Sequence, residues 1–222
     1  MTRRQTSGEL TTGTPAGLRE RRKQRTREAL LHAALRLFAA QGYERTTVDE
    51  IAEAVEVSQR TFFRYFANKE AVAFAVQEAV EARFLTELRQ RPAEEAPFQA
   101  LRRAALNAWA GATEAVEGDV TDELHMSTYR MIESTPALLA AHLRRSVDLE
   151  VQAARLIAER EGLDPETDPR PRVAVAAFSG VMRMTGQLWG RRQDAGADAL
   201  RQLAEHHLDQ LGPALSGSWR TA

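Results

Sequence analysis

The chain has 222 residues, a formal net charge of −1 at neutral pH and no cysteine, so thiol catalysis, thiolate zinc sites and a disulfide framework are excluded. Charged residues interrupt every apolar run before it reaches the length of a membrane span or a signal-peptide core, which predicts a soluble cytoplasmic protein with no membrane partner. Alanine, leucine, glutamate and arginine dominate and alternating apolar patterns are rare, so we expect an all-α fold.

The charge is divided unevenly along the chain. Residues 1–72 contain thirteen basic and nine acidic side chains, whereas residues 73–222 contain seventeen basic and twenty-two acidic ones. A basic N-terminal part is typical of a protein that binds a polyanion there, although the charges of solvated faces also differ by chance.

The N-terminal segment predicts a flexible basic arm over residues 1–22. Its first part is rich in Thr, Gly and Ser without an apolar period, and it leads into the basic run RERRKQRTR. An apolar stripe at i, i+4, i+7 and i+8 then predicts a first helix from about Lys23 to Gln41. The residues of this stripe are Leu30, Ala34, Leu37 and Phe38.

Three patterns typical of helix N-caps follow the first helix. Thr47 and Glu50 have the spacing of a capping box, and Ser58 and Asn68 each precede a helical pattern. Two short helices after a longer one have the spacing of a helix-turn-helix, which we place in residues 23–70. The helices predicted after these caps are 48–55, 58–66 and 69–91.

Residues 71–222 have the pattern of further helices, which gives about nine in all. Prolines at 92 and 97 end one helical pattern and start the next, and the proline-rich segment GLDPETDPRPR separates the last two helices from the others. One of these predicted helices starts near Pro97. The other four cover residues 120–133, 136–160, 172–192 and 198–211.

The helix predicted at 172–192 has two apolar stripes. One contains Val173, Ala177, Val181, Met184 and Leu188, and the other contains Val175, Phe178, Met182 and Trp189. Such a helix is buried on both faces, so one face would pack in its own domain and the other against a partner copy, unless both lie in the same core. The single stripe of the helix at 198–211 fits a four-helix interface in a homodimer.

The stretch SQRTFFRYF around the third helix contains four of the fourteen aromatic residues of the chain. Phe62 and Phe66 are spaced i, i+4, so they lie on one side of a two-turn helix and can anchor it in a core. Gln59 and Arg60 lie on the other side and are residue types that hydrogen-bond to adenine and guanine edges, while the methyl group of Thr61 can contact thymine. Solvation explains each polar residue alone, but their convergence on one face favours binding to double-stranded DNA.

The run TTVDEIAEAVEVSQRTFFRYFANKEAV at 46–72, together with ALRLFAAQGYERTT at 34–47, resembles the TetR family of bacterial transcriptional regulators. The rest of the chain is similar to this family in length and helical layout. The resemblance implies a DNA-binding domain at 23–70 and a C-terminal domain at 71–222 that binds a small-molecule effector. It also implies a homodimer formed through the helices at 172–192 and 198–211.

The resemblance further implies which residues contact an operator. Bases would be read by Gln59, Arg60 and Thr61, and the backbone would be contacted by Thr47, Phe63, Tyr65 and Lys69. Basic residues of the arm can follow phosphates or enter a narrow minor groove. The complete set of predicted DNA-binding residues is Arg22, Lys23, Arg25, Thr47, Ser58, Gln59, Arg60, Thr61, Phe63, Arg64, Tyr65 and Lys69.

Two residues depart from the pattern of the family. Glu56 stands at a turn position often held by glycine, where a left-handed conformation would cost about 1 kcal/mol. Phe63 stands where a tyrosine hydroxyl often meets a phosphate, so this contact is reduced to packing at best.

Seven residues on the later helices are candidate contacts of an effector, although core packing or solvation also explains each one alone. They are Trp109, Met126, Tyr129, Arg130, Met182, Gln187 and Trp189. The adjacent His206 and His207 point about 100° apart on a helix and cannot share one ion. No catalytic, cofactor or metal motif occurs, and we therefore expect no enzyme, no cofactor and no bound metal.

These features predict a dimeric, ligand-responsive transcriptional regulator, usually a repressor in this family, that an effector releases from a near-palindromic operator. The alternative is a DNA-binding protein without an effector, either a nucleoid-type protein or an activator. An enzyme with a DNA-binding segment would instead show perturbed titratable residues clustered in a cleft.

Overall fold

The computed structural model describes residues 15–115, 122–192, 196–217 and 219, and within these ranges the chain forms ten α-helices and no strand. The all-α prediction is confirmed. No helix in these ranges is both long and apolar enough to cross a membrane. The helices are α1 (Pro15–Gln41), α2 (Val48–Glu53), α3 (Gln59–Tyr65), α4 (Lys69–Ala73), α5 (Ala75–Gln90), α6 (Pro97–Ala115), α7 (Asp122–Ser134), α8 (Pro136–Glu161), α9 (Arg170–Gly190) and α10 (Ala197–Ser216).

A first apolar core lies among α1 to α4. Leu30 and Phe38 of α1 belong to the same cluster as Ile51 of α2, Phe62 of α3 and Phe66 at the end of α3. Phe62 is completely buried and Phe66 is 4% exposed, as the sequence pattern predicts. Because an isolated helix of seven residues is unstable in water, the burial of these rings holds α3 in place.

Side-chain hydrogen bonds define where α2, α3 and α4 begin. Oγ1 of Thr47 accepts from the backbone N–H of Glu50 at 3.2 Å, and Oε2 of Glu50 accepts from the backbone N–H of Thr47 at 2.8 Å. Ser58 caps α3 by accepting from the N–H of Thr61, and Asn68 caps α4 in the same manner. The three predicted caps are confirmed.

The turn between α2 and α3 has a left-handed residue at Glu56, with φ of 55°. The N–H of Val57 donates to the carbonyl of Ala52 at 3.0 Å, and the N–H of Glu56 donates to that of Glu53 at 2.9 Å. These two bonds form a Schellman motif, which normally places glycine at this position. The motif is kept without glycine, at a cost of about 1 kcal/mol for the left-handed glutamate.

The first helix begins at Pro15 and not near Lys23, so the prediction of a flexible arm over 1–22 is wrong for residues 15–22. Residues 1–14 lie outside the described residues. Proline suits the first turn of a helix, and polar pairs spaced i, i+3 and i, i+4 in the next turns support the N-terminal half of α1 without an apolar stripe. The polar pairs are Lys23 with Glu20 and Gln24 with Glu28.

The helix predicted at 69–91 is interrupted at Phe74, which separates α4 from α5 and raises the number of helices from nine to ten. The five consecutive residues 72–76 are each at most 5% exposed. Because successive side chains of a helix point about 100° apart, the chain is surrounded by protein on every side at this break. Tertiary packing of this kind leaves no periodic signal in the sequence.

A second apolar core lies among α5, α6, α8, α9 and α10. The rings of Phe84 and Phe178 stack in it with their centroids 6.2 Å apart. The long helix α8 belongs to both cores, since Leu138 lies in the first and Ile157 in the second. This helix therefore connects the N-terminal helices to the rest of the chain.

The two apolar stripes of α9 lie in different environments, as predicted from their spacing. Val175, Phe178 and Trp189 are buried, whereas Val173, Met184 and Leu188 are exposed. The stripe that contains Val175 packs within its own chain. The stripe that contains Val173 leaves an apolar surface on the outside of α9.

The apolar stripe of α10 packs mainly on its own chain. Leu208 is buried in the second core, and Leu200 and Leu203 pack against Trp189. The remaining outer side of α10 is largely polar, so α10 offers less apolar surface to a partner than its sequence pattern predicts.

Candidate nucleic-acid interface and ligand cavity

The outer face of α3 carries the predicted base-reading side chains. Gln59, Arg60, Phe63 and Arg64 are exposed, and Thr61 and Tyr65 are half-buried. The ring of Phe62 underneath meets the ring of Phe63 edge-on at 5.4 Å. The structure thus brings together a short helix with a buried aromatic anchor and an exposed polar face.

Two of the predicted base-reading residues differ in how firmly the fold holds them. Nε2 of Gln59 donates a hydrogen bond to Oδ1 of Asp49, which ties the amide to α2. The exposed guanidinium of Arg60 makes no hydrogen bond or ion pair within the described ranges of the chain. The five donors of Arg60 are therefore unused within these ranges, and its bidentate contact with a guanine edge stays a prediction.

The hydroxyl groups at the start of α3 form hydrogen bonds within the chain. The Oγ atoms of Ser58 and Thr61 lie 3.1 Å apart, and the N–H of Thr61 donates to Oγ of Ser58 at 3.2 Å. The hydroxyl of Thr47 likewise donates to Oε2 of Glu50 at 2.9 Å. These residues position the backbone of α2 and α3, and their contacts with DNA stay predictions.

Lys69 connects α4 to the segment between α1 and α2. Its Nζ donates to the carbonyls of Tyr43 and Thr46 at 2.7 and 2.8 Å and lies 4.2 Å from the centroid of the Tyr43 ring. Burial, more than the nearby carboxylates, raises the pKa of Tyr43 to about 12. One N–H of the ammonium group remains for the predicted phosphate contact, which stays a prediction.

The N-terminal half of α1 and the end of α3 share one concave surface of about 770 Å³, which we call the basic groove. Its lining residues are Arg19, Glu20, Arg22, Lys23, Thr26, Arg64 and Tyr65. Arg22 and Lys23 therefore face the same groove as the end of α3, whereas Arg25 is exposed outside the groove. Since these residues are helical, they form a basic edge of α1 and not the flexible arm predicted from the sequence.

A cavity of about 230 Å³ lies among the helices of the C-terminal part and is called the ligand cavity below. Four of the seven predicted ligand contacts line it: Trp109, Tyr129, Met182 and Trp189. The side chain of Met126 lies outside the described residues.

Arg130 and Gln187 do not line the ligand cavity, so its position gives their predicted ligand contacts no support. Nε of Arg130 donates to the carbonyl of Gly190 at 2.7 Å, and its Nη2 donates to the carbonyl of Arg192. This guanidinium holds the C-terminal end of α9. Gln187 is exposed on the outer side of α9.

Seven polar residues of the ligand cavity were missed by the sequence reasoning. They are Gln77, Glu81, His142, Ser146, Glu150, Ser179 and Arg183. A signal was present on α8, where polar His142 and Ser146 share one helix face with Leu149 and Ala153. Polar residues within an otherwise apolar stripe indicate a cavity or a buried network.

The charged groups of the ligand cavity are paired. Oε2 of Glu81 accepts from Nη2 of Arg145 at 2.7 Å, and Oε1 of Glu150 lies 3.5 Å from Nη1 of Arg183. Burial raises the pKa of Glu81, although Arg145 acts in the opposite direction. Burial also lowers the pKa of His142, so its imidazole is neutral near pH 7.

Two polar atoms of residues in this cavity are buried without a hydrogen-bond partner in the described part of the chain: Oε1 of Gln77 and Nδ1 of His142. Leaving a buried polar atom unpaired costs about 1–3 kcal/mol. An occupant with complementary groups would remove this cost, which distinguishes the cavity from ordinary core packing.

Glycines of α9 allow Tyr129 to form one wall of the ligand cavity. A Cβ atom at Gly186 would lie 2.6 Å from the hydroxyl oxygen of Tyr129, and one at Gly190 would lie 3.0 Å from its ring. The ring also meets Trp189 edge-on at 6.0 Å. Burial raises the pKa of Tyr129, which keeps its phenol protonated.

Sequence profiles of known families match both parts of the chain. Residues 30–76 match the bacterial regulatory proteins of the tetR family, and residues 95–216 match the MftR C-terminal domain. The HTH-type transcriptional regulator TcmR of Streptomyces glaucescens is 48% identical over 212 residues, which cover 92% of this chain and 90% of TcmR.

The chain belongs to the TetR family. Transcription regulation through a DNA-binding helix-turn-helix is the function of this family, and repressors and dimers are typical of it. α2 and α3, with the Glu56 turn between them, are the TetR-family helix-turn-helix of this chain.

Solved structures share the TetR-family fold. A putative TetR-family regulator from Syntrophomonas wolfei has a TM-score of 0.62 at 17% identity, covering 90% of this chain and 99% of that one. SmeT, the repressor of a Stenotrophomonas maltophilia multidrug efflux pump, has been solved as a triclosan complex. That complex has a TM-score of 0.58 at 22% identity, covering 86% of this chain and 91% of SmeT.

Proposed function

We propose that this TetR-family regulator is a homodimeric repressor that a small-molecule effector releases from a near-palindromic operator. The arrangement of α3 carries the proposal: Phe62 is fully buried, while Gln59 and Arg60 are exposed on the opposite face. A helix anchored in this way can enter a major groove without losing its own fold.

The basic groove supports separate roles for phosphate-contacting and base-reading residues. Arg22, Lys23 and Arg64 surround it and carry positive charge that can neutralise phosphates next to the recognition helix. Contacts of this kind set the register of the protein on the duplex, and Gln59 and Arg60 would read the bases.

The exposed apolar side of the C-terminal part supports a homodimer. Val173, Met184 and Leu188 are 64%, 43% and 39% exposed on α9, and α8 adds Leu143, Val147 and Val151 at the spacing i, i+4, i+8. Contiguous apolar surface of this kind is usually covered in an assembly. We place the dimer interface on α9 and α10, extended by α8, with the two copies of α3 about one DNA turn, ~34 Å, apart.

The ligand cavity supports control by an effector. α5 lines the cavity and is joined through Phe74 to α4, whose Val72 lies in the same core as Phe62. The triclosan complex of SmeT shows a small molecule bound to a protein of this fold. Coupling between two such sites is usually about 1–3 kcal/mol and reciprocal, so operator DNA should weaken effector binding by the same factor.

The proposal is tested by selecting bound sequences from a random pool of double-stranded DNA. We expect a near-palindrome with half-sites one helical turn apart, bound about 10³-fold or more tightly than random DNA at physiological salt. Arg60→Ala should relax the preference at one base pair in each half-site. Arg89→Ala, an exposed arginine on α5, is the matched control and should leave the selected sequence unchanged.

Recovery of no common sequence, with equal binding of operator-like and random DNA, would contradict the proposal and indicate a nucleoid-type protein without an effector. An intact palindrome selected by Arg60→Ala would show that another side chain reads the bases. We assign no catalytic role to the protein, since its relatives are transcriptional regulators.

A further inference from the structure

We infer that the ligand cavity binds an uncharged, mostly apolar molecule with at least one hydroxyl group, which Gln77 and His142 hold by hydrogen bonds. The inference rests on the proposed function and specifies the chemistry of its effector. Its size, charge and polarity follow from three separate properties of the cavity.

The size and the walls of the cavity select a small apolar body. Its volume of about 230 Å³ is below the range of about 300–1,000 Å³ that is typical for drug-sized ligands. The side chains of Phe84, Trp109, Phe178 and Met182 contribute apolar walls from α5, α6 and α9. A molecule of one or two fused rings matches these dimensions.

The charges of the cavity select an uncharged molecule. The carboxylates of Glu81 and Glu150 already have the guanidinium groups of Arg145 and Arg183 as partners. An anion or a cation in the cavity would therefore lose its hydration without finding a free counter-ion.

The unpaired polar atoms select a hydroxyl group. Oε1 of Gln77 is an acceptor only, so its partner must bring an O–H or N–H. Nδ1 of the neutral His142 can accept or donate, depending on the tautomer, and a hydroxyl can match either role. Both side chains line the cavity from neighbouring helices, α5 and α8.

The test compares four probes that share a fused bicyclic ring but differ in the polar group. These are 2-naphthol, naphthalene, 2-naphthoate and 2-naphthylmethylammonium, each titrated into the full-length protein by calorimetry. We expect 2-naphthol to bind at least about tenfold more tightly than each of the other three, because it alone combines an O–H donor with zero charge.

Variants at the two polar residues assign the effect to these side chains. Gln77→Met keeps the volume and removes the unpaired oxygen, so the free protein should not lose stability. We expect it and His142→Leu to weaken 2-naphthol binding by about tenfold and to leave naphthalene binding unchanged. Gln152→Met, an exposed position on α8 outside the cavity, is the matched control and should bind like the wild type.

Equal binding of 2-naphthol and naphthalene, tighter binding of either ion, no binding of any probe, or full affinity in Gln77→Met would each overturn the inference. These outcomes are separate from those of the DNA selection. If the DNA selection recovers a palindrome but the protein does not bind 2-naphthol, the proposed regulator function stands and the inferred class of ligand is rejected.

Discussion

At the scale of single residues, α3 contains two adjacent rings with opposite environments. Phe62 is completely buried in the first core, whereas Phe63 is 51% exposed on the face that would meet DNA. Each ring can therefore be removed to test one role of the helix, with its neighbour as the control.

Phe62→Ala should lower the free energy of unfolding by about 3–5 kcal/mol, because it removes a fully buried ring and leaves a cavity under α3. Phe63→Ala should cost less than about 1 kcal/mol, since half of this ring is already in contact with solvent. Urea denaturation followed by circular dichroism measures both values.

Operator affinity should depend on the outer ring, whereas stability depends on the inner one. Phe63→Ala should remain folded and bind operator more weakly, because a packing contact against the DNA backbone is lost. A Phe63→Ala variant as unstable as Phe62→Ala would show that the outer ring belongs to the core, and the proposed orientation of α3 would be wrong.

At the scale of helices, Arg145 of α8 contacts the region where α4 gives way to α5. Its Nη1 donates to Glu78 at 2.8 Å and its Nη2 to Glu81 at 2.7 Å, while its guanidinium carbon lies 5.4 Å from the centroid of the Phe74 ring. Since Glu81 also lines the ligand cavity, Arg145 is placed to respond to an occupant and to act on the junction of α4 and α5.

Double-mutant cycles of Arg145→Met with Glu81→Gln and with Glu78→Gln test how this arginine is held. We expect a coupling energy of about 1–3 kcal/mol with Glu81, whose side chain is 23% exposed. With Glu78, at 43% exposure, we expect about 0.2–1 kcal/mol, because solvent screens the more exposed pair. Urea unfolding of the single and double variants provides the four free energies of each cycle.

A coupling energy with Glu78 equal to or larger than that with Glu81 would contradict this prediction. Arg145 would then not be held mainly by the carboxylate that lines the cavity. Glu205→Gln with Arg201→Met, an exposed pair spaced i, i+4 on α10, serves as the reference for a surface ion pair. Its coupling should stay below about 0.5 kcal/mol.

The contrast between α3 and Arg145 shows which parts of the molecule the sequence predicts. The caps at Thr47, Ser58 and Asn68 and the i, i+4 pair of rings depend on residues within one or two turns, and these predictions are confirmed. The contacts of Arg145 join residues more than 60 positions apart, and no local pattern announces them.

The ligand cavity follows the same rule. Trp109, Tyr129, Met182 and Trp189 were predicted from the helices on which they lie, and they line the cavity. Gln77 and His142 line it from two different helices, α5 and α8, and no local pattern shows that these helices pack together. The helical start of α1 was missed for a different reason, because it has a proline in its first turn and a polar i, i+3 pair, Lys23 with Glu20, but no apolar period.

At the scale of the whole molecule, the proposed function requires two copies, because one α3 reads only half of a palindrome. The exposed apolar stripe of α9 provides the surface for this assembly, and Leu188 lies near its C-terminal end. A charge introduced there would be solvated in a monomer but desolvated without a partner in a dimer.

Leu188→Glu should therefore convert a dimer into monomers in sedimentation velocity experiments while the helical circular dichroism is kept, since a substitution at an exposed site changes monomer stability by only about 0.5 kcal/mol. Operator affinity should fall by about 10²–10⁴-fold, because the second half-site no longer binds as part of the same particle.

Gln90→Glu at the exposed end of α5 adds the same charge and should leave both the dimer and its affinity intact. A Leu188→Glu protein that still sediments as a dimer would place the interface elsewhere, and Val147→Glu on α8 would then test the neighbouring apolar stripe.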